Sequence, residues 1–337
     1  MTQIMKNGML AVLVALGVLA QGINEARATI SIDLVNVGNA GNAADTTTYG
    51  AVSYNYAIAK YDVTIGQYTE FLNAVAATDA YGLYNTVMGT DLHVAGIARS
   101  GSSGSYTYSA INNGGSSANR PITYVSWFDA ARFSNWMNNG QGSGSTETGA
   151  YTLNGATSGI ITKNAGAIWY LPSEDEWYKA AYYDASLNSG SGGYWAYPTR
   201  SNTAPGNVTG SAPNQANINN GVYSVTQSSS YLATQYYVTD VGAFSGSGSA
   251  YGTYDQGGDV WQWNDAVVSG SSRRIRGGSW FTAADVLQSS ISVDVPPTAE
   301  TSIFGFRLAS VPEPSTVGLV LLAGTGLMVW KRRKFTL

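Results

Sequence analysis

The segment between Tyr251 and Trp280 carries the side chains with the clearest capacity for chemistry. Asp255 and Asp259 bring two carboxylates close together in the sequence, with the pair Gly257-Gly258 between them. Paired glycines allow a positive φ, or a close backbone approach to a ring or an ion. The two aspartates can instead simply serve turns. The sequence leaves both roles open.

Tryptophans flank this acidic pair. Trp261, Trp263 and Trp280 have large rings that demand burial. The alternation from Val260 to Trp263 predicts a strand that enters a turn. We therefore expect a buried strand directly after residues 255–259, which we call the acidic loop.

The composition of the chain excludes several other chemistries. The 337 residues include no cysteine, which rules out disulfides, thiolate metal sites and cysteine nucleophiles. His93 is the single histidine, so a site with several histidine ligands is impossible. Serine is abundant, but no G-x-S-x-G or S-x-x-K run accompanies it. We expect His93 to be a surface or hydrogen-bonded residue.

Helix starts and short alternating runs predict the elements that position this segment. The helix starts are Thr64 with Gln67, Ser126 with Asp129, and Ser173 with Glu176. Glu176 is therefore expected to cap a helix and not to catalyse. The predicted strands are 30–37, 54–63, 260–263 and, more weakly, 194–197, 223–225 and 236–239. Residues 96–119 are expected to form an exposed hairpin or loop.

Several runs resemble the formylglycine-generating enzyme family, also called the sulfatase-modifying-factor domain. GDVWQW at 258–263 precedes RGGSW at 276–280, and Gly305-Phe306-Arg307 follows. The runs VTIGQYTEFLN at 63–73, PITYVSWFDA at 121–130 and LPSEDEW at 171–177 stand in the family's order. The resemblance extends from Val52 to Ser310. It implies a single α+β, C-type-lectin-like domain with few helices, short antiparallel strands and much ordered loop.

The resemblance also shows what this chain lacks. In the family, two cysteines after the R-G-G-S run bind copper and oxidise a substrate cysteine. Those positions fall here on Thr282 and Leu287, and neither is a soft thiolate ligand for copper(I). The resemblance therefore implies no copper and no oxidase activity. A divergent enzyme that uses Thr282, Asp285 or Arg276 in the same groove is the alternative.

Calcium is the cofactor that the resemblance still implies. The family binds Ca²⁺ just before its W-E-W run, through an Asn, two backbone carbonyls and the Glu. The corresponding residues here are Asp255, Gly258, Val260 and Gln262. A second family site begins at A-N-I, which here places Asn217 and Ile218 as ligands and leaves the others unidentified. Calcium accepts carboxylate, amide and carbonyl oxygens alike, so structural Ca²⁺ is expected.

Charge and composition constrain the partners. The net charge is −4 and only 11% of residues are charged, which argues against nucleic acid as a partner. Hydrophobic residues make up 44% of the chain, enough for a core. The many tyrosines and tryptophans are expected mainly in that core, although such rings can also line a sugar-binding groove.

Both ends of the chain carry processing signals. Residues 1–28 read as a secretory signal peptide, with an apolar run at 9–20 and a cleavage site after Ala28. Residues 311–337 resemble the PEP-CTERM sorting tail of Gram-negative bacteria, with V-P-E-P at 311–314, an apolar segment at 317–330 and a basic end. By this resemblance an exosortase-type protease cuts the tail. We expect the tail to insert only transiently, because 14 apolar residues span ~21 Å of a ~30 Å core. A permanent anchor is the alternative.

These observations favour one function over another. Residues 29–310 are expected to form a non-catalytic binding or matrix domain, displayed at the cell surface. Its ligand is expected to be an extracellular polysaccharide or a surface protein. The divergent enzyme in the old groove is the competing interpretation.

Overall fold

The computed structural model describes residues 29–311. From Ile32 onward the described residues belong to one compact unit. The predicted signal peptide and the sorting tail beyond Val311 lie outside the described residues, as does the apolar segment 317–330. The domain boundaries 28/29 and 310/311 therefore stay predictions.

Three α-helices begin at the predicted residues. They are α1 (Ile65–Val75), α2 (Trp127–Asn138) and α3 (Glu174–Tyr182). Each begins at a complete capping box, with Thr64, Ser126 and Ser173 as the N-caps. Two short 3₁₀ helices span Thr86–Gly89 and Ala284–Leu287. Glu176 accepts a bond from the Ser173 N–H at 2.7 Å, which confirms its capping role.

Twelve short strands of the described chain form two four-stranded sheets and two hairpins. One sheet has the order β1 (Leu34–Val37), β2 (Tyr56–Ala59), β12 (Ala309–Ser310) and β5 (Trp169–Tyr170). The other has the order β10 (Val293–Val295), β9 (Arg273–Arg276), β8 (Trp261–Val267) and β11 (Phe304–Phe306). The hairpins pair β3 (Ile97–Ser100) with β4 (Thr107–Ala110), and β6 (Tyr183–Asp184) with β7 (Gly193–Tyr194).

Two of the predicted strands are wrong, and of a third, 194–197, only Tyr194 lies in a strand. Residues 223–225 and 236–239 form turns and loops with isolated bridges and no strand. Tyr223 and Tyr237 are nevertheless buried, because their rings join a cluster with Trp280. Burial of aromatic rings thus takes place here within loops, where a local pattern cannot distinguish it from a strand.

Aromatic rings connect the helices to the second sheet. Phe71 of α1 and Phe133 of α2 meet edge to face with centroids 5.3 Å apart. Phe133 in turn meets Phe306 of β11 at 5.4 Å. Such pairs contribute about 0.5–1.5 kcal/mol each beyond the area they bury. They fix α1 and α2 against the sheet that carries the tryptophan segment.

One glycine is required by close backbone contact beside that segment. Gly258 has a φ of +82°, and a Cβ added there would lie 2.4 Å from the carbonyl oxygen of Asn217. The Asp259 N–H donates to the same carbonyl at 2.8 Å. The loop before β8 therefore lies directly against the chain at Asn217. No helix within residues 29–311 is long and apolar enough to cross a membrane.

Gly258→Ala is expected to lower the free energy of unfolding by about 3 kcal/mol, because left-handed strain adds to overpacking against backbone. Gly252→Ala is the matched control. Gly252 has a similar φ of +84° but nothing within 4 Å of an added Cβ, so only about 1 kcal/mol of strain is expected. Urea unfolding of both variants measures the difference, and equal losses would contradict the contact with Asn217.

Candidate functional site

Thr282 and Leu287, onto which the family resemblance places the two cysteines, lie side by side against Gly278. A Cβ added at Gly278 would lie 2.9 Å from Thr282 Oγ1 and 2.7 Å from Leu287 Cδ1. Leu287 is fully buried in a cluster with Tyr197 and Ile218. Thr282 Oγ1 accepts from the Ser279 N–H at 2.8 Å and donates to the Ser279 carbonyl at 3.0 Å. Packing and a local turn thus occupy both positions.

The other two residues of the enzyme hypothesis lie in contrasting environments. Asp285 is exposed. Arg276 is buried and donates to the carboxylate of Glu174 and, at 2.8 Å, to the carbonyls of Ser289 and Ile291. Its Nε and Nη1 thus hold β9 against Glu174 and the loop that carries Ser289 and Ile291.

The acidic loop is closed by an amide side chain. Gln262 is fully buried, and its Oε1 accepts from Trp177 Nε1 at 2.8 Å and from Arg307 Nε at 2.7 Å. Its Nε2 donates to the backbone carbonyl of Asp255 at 2.6 Å. Asp255 itself has a φ of +59°, and its carboxylate accepts from the Gly242 N–H at 2.6 Å.

This arrangement does not fit the ligand role that the family resemblance implies for Gln262. Calcium requires an oxygen, and the amide presents its nitrogen to the loop. Turning the amide over would place the NH₂ group against two N–H donors and leave the Asp255 carbonyl facing an oxygen. Without an oxygen from Gln262, the predicted ligand set is incomplete and leaves only Asp255, Gly258 and Val260.

The second predicted set fits an ion in one respect. Asn217 is buried, and its Nδ2 donates at 2.8 Å to the carbonyl of Tyr237 and to Asp259 Oδ1. Its Oδ1 is buried and has no hydrogen-bond partner among the described residues. The Ile218 carbonyl accepts from Asn207 Nδ2 at 3.3 Å. Within residues 29–311 no group of three or more His, Asp or Glu side chains could hold a metal.

The surroundings of Asp259 favour its protonated form. Burial, and then the charge of Asp255, raise the pKa of Asp259 to about 8. Its Oδ1 accepts from the Thr239 N–H at 3.1 Å, and its Oδ2 bonds the Thr239 hydroxyl at 2.9 Å. Burial also raises the pKa of Asp255 to about 6. The folded loop therefore binds protons that an unfolded chain would release.

His93 belongs to an aromatic stack that the sequence did not predict. Its Nδ1 lies 2.8 Å from Asp91 Oδ1, which confirms a hydrogen-bonded histidine. Its ring stacks on Tyr231 with centroids 4.5 Å apart, and Tyr237 stacks on Trp280 at 5.0 Å. These rings come from distant parts of the chain, so no local spacing indicates the cluster.

Two family models match the chain. The model described as the sulfatase-modifying factor enzyme 1-like domain matches residues 10–311, and the chain belongs to this family. The PEP-CTERM protein-sorting motif matches residues 310–334. That motif supports export and cell-surface sorting in Gram-negative bacteria and implies processing by an exosortase-type system. No curated protein matches the chain.

Several solved structures are similar to this chain at low sequence identity. CarF is 21% identical, covers 84% of this chain and 99% of its own, and has a TM-score of 0.50. Treponema denticola variable protein 1 is 16% identical, with 85% and 98% covered and a TM-score of 0.48. PvdO from Pseudomonas aeruginosa is 16% identical, with 84% and 93% covered and a TM-score of 0.42. The predicted α+β, C-type-lectin-like fold is confirmed.

Gln262→Glu tests whether the amide closes the acidic loop. A carboxylate oxygen would then face the Asp255 carbonyl, so we expect a loss of roughly 2 kcal/mol in EDTA. Excess CaCl₂ should restore part of it, because a cation between the oxygens binds only the folded state. Gln262→Met, the matched control, should lose stability in both media. Thermal melting compares the wild type with both variants. If CaCl₂ raises the melting temperature of the wild type and Asp255→Ala abolishes that rise, the assignment of Gln262 as a hydrogen-bonded amide without an ion is contradicted.

Asp259→Asn tests the raised pKa. An aspartate with a folded pKa of about 8 binds its proton more tightly than the unfolded chain, where the value is about 3.9. Wild-type stability should therefore fall as the pH rises from about 4 to about 8. The amide keeps the bonds to Asn217 and Thr239 but does not titrate, so its profile should be flatter. Denaturant unfolding across this range decides, and parallel profiles would refute the shift.

Proposed function

We propose that this protein is a non-catalytic binding protein, displayed at the cell surface on the scaffold of its family. The observation that carries the proposal is the burial of Leu287 at one of the oxidase positions. Its side chain packs against Gly257 and Gly278 where a thiolate would have to stand. A chain without cysteine cannot supply that thiolate from any other position. The scaffold is kept, and the reactive groups are not.

Export and sorting determine where such a protein would act. We propose that the signal peptide is removed after Ala28 and that the tail is cut near Val311–Pro314. The apolar segment 317–330 would insert only transiently, because it is too short for an unstrained span. Proline disfavours a helical conformation for the residue before it, and Pro312 and Pro314 are the sequence argument for a segment that a protease can reach. The ligands open to the mature protein are extracellular polysaccharides and surface proteins.

We retain structural Ca²⁺ as a proposal for the second set alone, at Asn217 and Ile218. The buried and unpartnered Oδ1 of Asn217 supports it. An ion there would hold the chain at Asn217 against the loop at Gly258, and it would supply no chemistry. The stabilisation by CaCl₂ expected from this site persists in Asp255→Ala.

The absence of oxidase activity is tested with a sulfatase-type cysteine peptide and copper. We expect no aldehyde from the purified protein, because no thiolate is available to bind copper. An active enzyme of the family, treated identically, is the positive control. Formation of formylglycine above the no-enzyme background would overturn the non-catalytic assignment.

Mass spectrometry of the protein from its own host tests the processing. The expected mature chain begins at Thr29 and ends between Val311 and Pro314. A C-terminus at Leu337 would instead establish a permanent anchor.

A further inference from the structure

A groove of about 720 Å³ lies beside the acidic loop and is not lined by Thr282, Leu287 or Asp285. Its volume is within the range of pockets that hold small ligands. One side is formed by residues 195–200 and the other by the glycine- and serine-rich loop 245–254. The side chains that matter most are Trp195, Arg200, Tyr251 and Tyr254.

Hydrogen bonds to residues outside the groove hold two of its rings in place. Trp195 Nε1 donates to Asp184 Oδ2 at 3.1 Å. The Tyr251 hydroxyl donates to Asn39 Oδ1 at 2.9 Å, and its ring stacks on Tyr183. Both rings remain partly exposed where they line the groove. They are thus held in place before any ligand arrives, which reduces the entropy lost on binding.

The third ring is held by packing contacts. Tyr254 packs on Tyr61 with centroids 5.8 Å apart, and the Lys60 ammonium lies 5.6 Å from the Tyr254 centroid. A Cβ added at Gly248 would lie 3.0 Å from Tyr254 Cζ, so the loop backbone runs close to this ring. The three rings offer apolar surface that does not need to rearrange.

The polar groups of the groove are almost all neutral. Arg200 is 53% exposed, and its guanidinium lies 3.5 Å from the carboxylate of Asp184, which offsets its charge. The loop contributes the exposed hydroxyl of Ser245 and its own backbone, whereas the Ser249 hydroxyl is buried and bonds to Thr253 at 2.7 Å. Flat rings beside hydroxyls, with no net charge to attract an ion, match a ligand that has apolar faces and many hydroxyl groups.

We propose that this groove binds a neutral glycan chain. The C–H faces of successive pyranose rings would lie on Trp195, Tyr251 and Tyr254, and the hydroxyls would bond to Arg200 and the serine-rich loop. A β-1,4-linked chain of equatorial pyranoses presents the flattest faces and is the expected class. An acidic polymer is disfavoured, because Arg200 is already paired and the chain carries a net charge of −4. The inference rests on the proposed binding function and specifies its ligand.

The test is titration of the protein from its host with cellohexaose, followed by intrinsic tryptophan fluorescence and calorimetry. Trp195→Ala should weaken binding about tenfold, the equivalent of one lost stacking contact, and Trp195→Phe should retain most of it. Phe281→Ala is the matched control, because Phe281 is a 52% exposed ring that does not line the groove. Melting curves establish that each variant is folded.

Each outcome decides between the two proposals. Binding that is weakened in Trp195→Ala and kept in Phe281→Ala supports the groove. Binding that is kept in Trp195→Ala and weakened in Phe281→Ala overturns the groove as the site. Binding of alginate in place of cellohexaose overturns the neutral class of ligand. Both results leave the proposed binding function intact. If no glycan binds but a purified surface protein of the host binds saturably, the glycan proposal is overturned and the binding function is kept. Failure of all these ligands, with aldehyde produced in the oxidase assay, overturns both proposals.

Discussion

The buried guanidinium of Arg307 constrains the centre of the fold. Arg307 is fully buried, and its Nε donates to Gln262 Oε1 at 2.7 Å. Its Nη1 donates to the Ala59 carbonyl at 3.0 Å, while Nη2 reaches the Tyr254 carbonyl at 2.8 Å and Asp62 Oδ1 at 3.1 Å. A buried guanidinium is tolerated only when its donors are satisfied. Both sheets and the loop before β8 must therefore close around it together.

The hydrogen bonds around Arg307 also determine which atom of Gln262 faces the acidic loop. Gln262 serves Arg307 and Trp177 with its oxygen, so only its nitrogen is left for the acidic loop. Leu287 contributes to the core at the other position where chemistry would be expected. The amide of Gln262 closes the loop through hydrogen bonds, and Leu287 fills the other position with an apolar side chain. Across many families the fold and the chemistry of its site vary separately.

The sequence predicted those features that are encoded locally. The capping boxes at Thr64 and Ser173 involve residues only three positions apart, and the start of β8 follows from a short alternation. The orientation of the Gln262 amide could not be predicted, since Trp177 and Arg307 lie 85 and 45 residues away in the chain. The same holds for the groove, whose rings come from positions about 55 residues apart in the chain and line one cavity only after folding.

The central claim is that the amide of Gln262, without an ion, closes the loop at Asp255. A high-resolution crystal structure grown in excess CaCl₂ tests this claim most directly. We predict that Gln262 Nε2 remains within hydrogen-bonding distance of the Asp255 carbonyl, with Oε1 on Trp177 and Arg307. No cation should contact Gln262, even where one binds at Asn217. A calcium ion coordinated by Gln262 Oε1, Asp255 and the Val260 carbonyl would contradict this account of the loop.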